Sequence, residues 1–457
     1  MRTTGRLACG RTCCMTDRYR FLTAQGLARA LLAGDMRRDG LLARGAVALG
    51  GSVPSWLSDL LDQLPLLSET TWSRLTCADL AARIDITPAF NAAWIAGPPT
   101  IRRWILRPSH RHPAPWGLDH LTLPPLDHHR AVADWLGIGP EDLDWFTTHP
   151  ELRRRRPLHR QHHAFRLIPK AGGGGRLLEV PRPRLKALQT RVLRDILDTV
   201  PVHEACHGFV AGRSVSSHAA LHAGQAVVLQ FDLKDFFHGI GIAKVRAVFA
   251  TLGFPPGVAH TLAALCTVLT PEPVIERLRG DGWIDWQQAR RLRSPHLAQG
   301  APSSPMLANL CAFQLDLRLD GLAWVLGARY SRYADDLVFS GPASLAAAFP
   351  RITAWVGMIA QEEGYLLNPR KTRLATQAAA QQVCGVVVNA HPNLKRAEFD
   401  RLRAVLHQCA LHGPASQNRE GHADFRAHLL GRVAWAVQLN PGRAARLQAL
   451  WRRIDWA

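Results

Sequence analysis

Two adjacent carboxylates, Asp335 and Asp336, stand in the stretch Tyr333-Ala334-Asp335-Asp336. Like charges side by side repel, and a turn gives them little compensation unless a cation lies between them. The flanks read as strands, Ala328 to Tyr333 before and Leu337 to Ser340 after. The pair therefore belongs at a hairpin tip, where both groups can reach one small hard metal. A third carboxylate lies upstream. In Gln225 to Leu233, Val227, Leu229, Phe231 and Leu233 alternate onto one strand face, and Val228, Gln230 and Asp232 take the other. Burial of the apolar face turns Asp232 away from that core. Three carboxylates can hold two magnesium ions, with phosphates and water completing each octahedron, as two-metal phosphoryl transfer requires. Taken alone, the Asp-Asp pair has a plain alternative, a solvated turn.

Other residues suit phosphates. "AFRLIPK" and "RLLEVP" read as strands of a hairpin from His163 to Pro181, with Ala171 to Gly175 as its glycine-rich tip. Such a backbone can approach a phosphate closely, and Lys170 and Arg176 flank it; an ordinary flexible hairpin with two exposed cations is the alternative. Gln299 to Pro305 reads as a rigid loop opening a helix from about Met306 to Leu319. Gln299 can donate and accept near a base or sugar, and Gly300 lets a nucleotide approach the backbone; a Pro-capped helix start is the plain reading. Arg153 to Arg156 are four consecutive arginines, either a solvated run or a nucleic-acid contact.

The elements that position these residues fall in order along 457 residues, enough for two or three domains. Residues 16 to about 105 read as short amphipathic helices, including Thr23 to Leu32 and Cys77 to Ile84. Leu75 to Ile95 could pass for a helix-turn-helix, but plain helical packing suits it better. Pro108 to Pro125 is a Pro- and His-rich connector, and Ala131 to Phe146 is a short helix pair. Arg184 to Val200 is a strong helix with Leu185, Leu188, Val192, Leu193, Ile196 and Leu197 as its buried stripe. Residues 270–297 are a polar, Trp-bearing excursion with no legible role.

Composition is globular, 47% hydrophobic and 20% charged, with a formal net charge of +20. That excess implies a polyanionic partner, nucleic acid before an anionic membrane surface. The 9 cysteines are scattered, without C-x-x-C or zinc spacing, which suits a reduced cytoplasmic setting. No run is long enough for a transmembrane segment and none reads as a secretory leader. Met15 is an alternative start to Met1.

Six segments in this order resemble a known family, the bacterial reverse transcriptases, and most closely the retron type. "RLIPKAGGGGRLLEVP" looks like the fingers motif and "LQFDLKDFF" like the first catalytic motif. "QGAPSSPMLAN" looks like the template–nucleotide loop and "YADDLVFS" like the second catalytic motif. "LNPRKTR" looks like the palm lysine motif and "VCGVVVN" like the primer grip. The likeness runs from about His163 to the C-terminus.

It implies an α+β right-hand polymerase fold with fingers, palm and helical thumb after a mainly helical N-terminal extension. The expected bounds are 1–150 for the extension, 151–230 for fingers with part of the palm, 231–392 for the palm and 393–457 for the thumb. It also implies metal ligands Asp232, Asp335 and Asp336, with the Leu233 carbonyl assisting, around two Mg2+ ions that Mn2+ can replace. Lys371 would neutralise or protonate the leaving pyrophosphate. Lys170 and Arg176 would grip the incoming triphosphate. Phe237 would be the gate against the 2′-hydroxyl, and Gln299 and Gly300 would position nucleotide and template.

Retron enzymes carry N-A-x-x-H before the first catalytic strand and V-T-G at the primer grip. Here His218 replaces the Asn of a segment ending in His222, and Cys384 replaces the Thr between Val383 and Gly385. His222, Val383, Cys384, Gly385, Arg153 and Arg154 are the expected RNA or primer contacts. The implied partners are a structured non-coding RNA, deoxynucleoside triphosphates, the DNA product and an effector protein. The implied biology is RNA-linked single-stranded DNA made for anti-phage defence. The competing readings are a non-retron reverse transcriptase, such as an intron-encoded or other defence enzyme, and a catalytically silent RNA-binding scaffold.

Overall fold

The computed structural model describes residues 11–34, 36–64, 72, 75–105, 117–154, 156–169 and 174–456. The chain forms two compact units, Met1–His110 and Arg111–Ala457. The first contains helices Arg11–Leu32, Arg38–Leu49, Ser55–Gln63, Cys77–Asp85 and Pro88–Ala96. Their apolar stripes meet in a core that includes Leu27, Leu31, Leu57, Leu60, Leu80, Ile84 and Phe90. Thr76 and Asp79 form a capping box that starts the fourth of these helices. The segment that could pass for a helix-turn-helix packs its first helix on Arg11–Leu32 and its second on Ser55–Gln63, as plain helical packing requires.

The second unit is built on short antiparallel strands. β1 (His163–Pro169) and β2 (Gly175–Pro181) form the expected hairpin, with His163 opposite Pro181 and Pro169 opposite Gly175. β3 (Val227–Asp232) carries the upstream carboxylate. β4 (Thr267–Val268) pairs with β5 (His296–Leu297). β6 (Arg329–Tyr333), β7 (Asp336–Gly341) and β8 (Arg373–Thr376) join β3 in a four-stranded sheet ordered β6-β7-β3-β8. β9 (Gln382–Val383) and β10 (Val386–Val387) make a small separate hairpin.

One sheet face buries Leu229, Phe231, Leu337 and Phe339 in the large core, with helices Ile242–Thr251, Pro256–Cys266, Ser304–Cys311 and Ser344–Glu362 contributing Phe249, Leu262, Leu307 and Ile352. The other face is also covered. Val228 and Val338 pack with Val383, Val386 and Val388 around the β9–β10 hairpin, and with Leu439. Asp232, on that same face, is buried at 4% exposure.

Several boundaries differ from the sequence reading. Helices His129–Leu136 and Pro140–Thr147 bury Val132, Leu136, Leu143 and Phe146 in the large core, packing on Pro256–Cys266. They belong with the second unit, so its start lies near residue 111 rather than 151. The Pro-rich connector marks that change, whereas the helix pair after it looks like more of the same extension. The helix expected over Met306 to Leu319 is two helices, Ser304–Cys311 and Phe313–Val325, broken at Ala312. The strong helix after Pro183 ends at Asp195 and gives way to a 3-10 turn, Leu197–Thr199.

The excursion 270–297 has a legible role in three dimensions. Helices Glu272–Gly280 and Trp286–Leu292 bury Ile275, Leu278, Ala289 and Leu292 against Leu177 of β2. A Cβ on Gly175 would fall 1.6 Å from the Trp283 ring, so only glycine fits where the hairpin meets this support. At the C-terminal end, helices Arg396–His412, Phe425–Leu439 and Ala444–Trp451 share a core of Leu402, Leu406, Leu429, Val433 and Leu447. No helix among the described residues is long and apolar enough to cross a membrane.

Candidate active site

The antiparallel register sets Asp232 of β3 directly opposite Asp336 of β7. β6 and β7 close in a two-residue turn, Ala334-Asp335, with Tyr333 opposite Asp336. The three carboxylates thus gather at one end of the sheet. Ala334 has φ +55°, a left-handed conformation disfavoured for a residue with a Cβ. Such a conformation persists only where its surroundings impose it.

Those surroundings are specific. Arg332 is fully buried, and its Nε and Nη2 donate to the Asp316 carboxylate at 2.7 and 2.6 Å. Its Nη1 donates to Asn309 Oδ1 and to the Ala334 carbonyl, each at 3.1 Å, so one guanidinium ties the turn to the helices beneath it. The Tyr330 hydroxyl donates to Asp316 at 2.9 Å, completing the set. Asn309 Nδ2 donates to the Gly208 carbonyl at 2.8 Å, and a Cβ on Gly208 would lie 2.6 Å from the Ala334 nitrogen. On the β3 side, the Leu233 N–H donates to the Asp335 carbonyl at 2.9 Å.

Asp232 has its own fixings. Lys371 Nζ donates to Asp232 Oδ1 at 2.6 Å, Asn368 Nδ2 donates to Oδ2 at 3.1 Å, and the Asn368 N–H donates to the Asp232 carbonyl at 2.8 Å. Burial, then the Asp232 charge, raises the Asp335 carboxyl above its ordinary range. Burial, then Asp335 and Asp232, pushes Asp336 up to about 6. Three acids crowded with one lysine leave a deficit of positive charge. Hard, anionic oxygens gathered at one end of a sheet are the kind of donor that a divalent cation such as magnesium takes, so the chemistry of these residues fits a metal centre.

The cleft in front of them has a volume of about 460 Å³. Asp232, Leu233, Asp335, Lys371, Arg176, Phe237 and Gln299 all line it, so most of the expected catalytic and nucleotide-binding residues meet there. Gly300 lies beside it with φ +128°, and a Cβ there would touch the Glu179 carbonyl at 3.5 Å. Lys170 lies outside the described residues. Cys384 and Gly385 form the β9–β10 turn, both with positive φ, and Cys384 Sγ is 3.7 Å from Asp336 Oδ2. Burial, then Asp336, pushes the Cys384 thiol up to about 12.

Three expected RNA contacts are placed otherwise. His222 is fully buried, with its Nδ1 and Nε2 at 2.7 and 2.6 Å from the Ser340 and Ser331 hydroxyls, so it braces β6 against β7 from behind. Arg153 is 6% exposed and its Nη2 reaches the Thr267 carbonyl; burial lowers its pKa to about 10. Val383 is fully buried in the small core behind the sheet. In each case sequence spacing located a motif but not the face that the residue presents. Arg154 is exposed and donates to the Arg293 carbonyl.

Sequence reasoning missed Arg332, Asp316, Asn309, Gly208 and Asn368. One signal was available: an arginine inside a short strand, one residue before the tyrosine of the Asp-Asp turn, is costly unless it is paired.

The family described as reverse transcriptase (RNA-dependent DNA polymerase) matches residues 168–397, a stretch that contains every cleft residue named above. The chain is 43% identical over 316 residues to the retron Mx65 reverse transcriptase of Myxococcus xanthus, covering 69% of each chain.

The chain belongs to the retron-type reverse transcriptases.

Two further relatives agree. The retron Mx162 reverse transcriptase of Myxococcus xanthus is 34% identical over 333 residues, covering 70% of this chain and 65% of that one. The retron Ec86 reverse transcriptase of Escherichia coli is 31% identical over 243 residues, covering 52% and 68%. A retron-type reverse transcriptase is an RNA-directed DNA polymerase of the right-hand fold, and its family works with divalent metals. The mixed helix-and-sheet second unit and the helical N-terminal region of this retron-type reverse transcriptase agree with that fold class.

Proposed function

We propose that this enzyme copies RNA into DNA by two-metal nucleotidyl transfer at the cleft, with Asp232, Asp335 and Asp336 holding two Mg2+ ions and the Leu233 carbonyl assisting. The supporting observation is the convergence of three carboxylates from β3 and the β6–β7 turn, with Asp232 opposite Asp336. When bound, the ions supply charge stabilisation for the attacking 3′-hydroxyl and the departing pyrophosphate; Mn2+ serves the same donor set. Lys371 holds Asp232 by its ammonium group and is 57% exposed, which leaves it free to turn toward a leaving phosphate and give up a proton. Arg176 and Lys170 cover the triphosphate. Phe237 lines the cleft, and in this reading it is the gate that meets a 2′-hydroxyl and so favours deoxynucleotides. Gln299 and Gly300 position nucleotide and template.

Primer extension on an RNA template with Mg2+ tests this reading. Asp336→Ala should lose synthesis and keep RNA binding, and full extension by that variant would remove the site assignment.

The retron character extends the reading to the product. Synthesis starts from a 2′-hydroxyl of the enzyme's own structured RNA and yields RNA-linked single-stranded DNA. Its role is anti-phage defence in the cytoplasm with an effector protein. Similarity to retron enzymes supports this part. Cys384 and Gly385 remain the RNA or primer contacts of the reading, with Arg154 as an outer one. Sequencing of co-purified nucleic acid tests it: a short DNA covalently joined to RNA is expected, and free intron RNA would point to another lineage.

A further inference from the structure

The buried Glu179 carboxylate of β2 is the least explained charge near the cleft. It is fully buried, yet among the described residues its charged or chargeable hydrogen-bond and ion-pair partners are two imidazoles. His296 Nε2 of β5 lies 3.1 Å from Glu179 Oε2 and 3.3 Å from Oε1. His238 Nε2 lies 3.5 Å from the same Oε2. One donor atom from each of the three residues falls within 4.8 Å of the others.

The hydrogen bonds around them fix which atoms are free. His296 Nδ1 is 2.6 Å from the Ser294 carbonyl, which can only accept, so Nδ1 carries the proton. Its Nε2 then either carries a second proton to the carboxylate or turns a lone pair toward it that a cation would bridge. The Thr270 hydroxyl donates to Glu179 Oε1 at 2.6 Å and leaves Oε2 as the inward atom. His238 Nε2 is buried and, among the described residues, makes no hydrogen bond, its nearest carboxylate oxygen lying 3.5 Å away. A proton on His296 would answer one imidazole and leave His238 with only a long contact of 3.5 Å to the same oxygen.

We infer that Glu179, His238 and His296 form a structural site for one transition-metal ion of the zinc class, separate from the catalytic carboxylates. Bonds of about 2.0–2.1 Å in a tetrahedron place neighbouring donors about 3.3 Å apart; the two oxygen–nitrogen separations of 3.1 and 3.5 Å bracket that length, and the two imidazole nitrogens lie within 4.8 Å of each other. Two imidazoles and a carboxylate, with water as the fourth ligand, suit zinc better than magnesium. Ser294 and Thr270 supply the outer hydrogen bonds that orient such ligands. A groove lined by His238, Gly241, Trp286, Arg291 and His296 offers an entry path.

The site would act as a staple. Glu179 belongs to the fingers hairpin, and its N–H donates to the Gln299 carbonyl at 2.9 Å. His238 follows Phe237 directly, and His296 precedes Gln299 by three residues. One ion would join fingers, gate and nucleotide loop.

The test uses untagged full-length protein, passed over a chelating resin and assayed by elemental analysis. About one equivalent of zinc per chain is expected. Stripped protein given cobalt should show the visible absorption of four-coordinate Co(II), and excess magnesium should not displace it. His238→Gln and His296→Gln should lose the ion, whereas Asp336→Asn should keep it. Wild-type protein that holds less than about a tenth of an equivalent, with no cobalt band and no thermal shift on zinc addition, would overturn the inference and leave a proton-bridged ion pair. Zinc retained in both histidine variants would equally overturn it, since the ion would then sit elsewhere.

Discussion

At the scale of single residues, Asp336 shows the conflict between stability and chemistry. Burial and two neighbouring carboxylates oppose its ionisation, so without a divalent cation its charge strains the folded state. Asp336→Asn removes that charge while keeping the shape. It should abolish polymerisation, yet raise the unfolding free energy of metal-free protein by on the order of 1–3 kcal/mol. Added Mg2+ should stabilise the wild type and narrow the gap. Thermal melts with and without Mg2+, beside extension assays, read both effects; a variant less stable than metal-free wild type would contradict the argument.

His222 gives a pH prediction. Burial, then the nearby His218, holds its pKa well below the ordinary value of 6.5. Unfolded chains therefore take up a proton below about 6.5 that the folded chain does not, so stability falls as pH falls from that point. His222→Gln should flatten this dependence by about 1.4 kcal/mol per pH unit between roughly pH 6 and 4.5. Denaturant unfolding across that range measures it, and equal slopes for the two proteins would exclude the buried neutral imidazole.

At the scale of elements, the β6–β7 turn depends on what lies beneath it. Arg332→Met would strand the Asp316 carboxylate, which has no exposure. Loss of one partner of a buried pair costs about 3–5 kcal/mol. The double change Arg332→Met with Asp316→Leu should recover much of that stability without restoring activity, because the Ala334 carbonyl loses its donor in both. Gly208→Ala is a milder probe. Its new Cβ would press on the Ala334 backbone, so the extension rate should drop at least about tenfold with the fold retained by circular dichroism.

At the scale of the whole molecule, a net charge of +20 spread over two units makes RNA affinity strongly salt-dependent. For a site that neutralises six or more phosphates, the slope of log K against log salt should be steeper than about −4. Asp335→Asn should leave it unchanged, since the cleft carboxylates are not the RNA anchors. A slope near zero would contradict an electrostatic interface. The two units keep separate cores. Residues 111–457 expressed alone should therefore unfold cooperatively, as followed by circular dichroism.

The candidate site was legible in the amino-acid sequence wherever it is local. Asp335 beside Asp336, the alternation that ends on Asp232, the glycine tip and the Gln299 loop are patterns of neighbours, and neighbour spacing sets which face of a strand or turn a group occupies. The tertiary structure alone decided what lies behind those faces. The second sheet face is buried by a distant hairpin, His222 and Arg153 turn inward, residues 270–297 support the β1–β2 hairpin, and Arg332 finds Asp316 beneath the turn. Each of these follows from contacts between segments far apart in the chain, whose register and burial no local pattern contains.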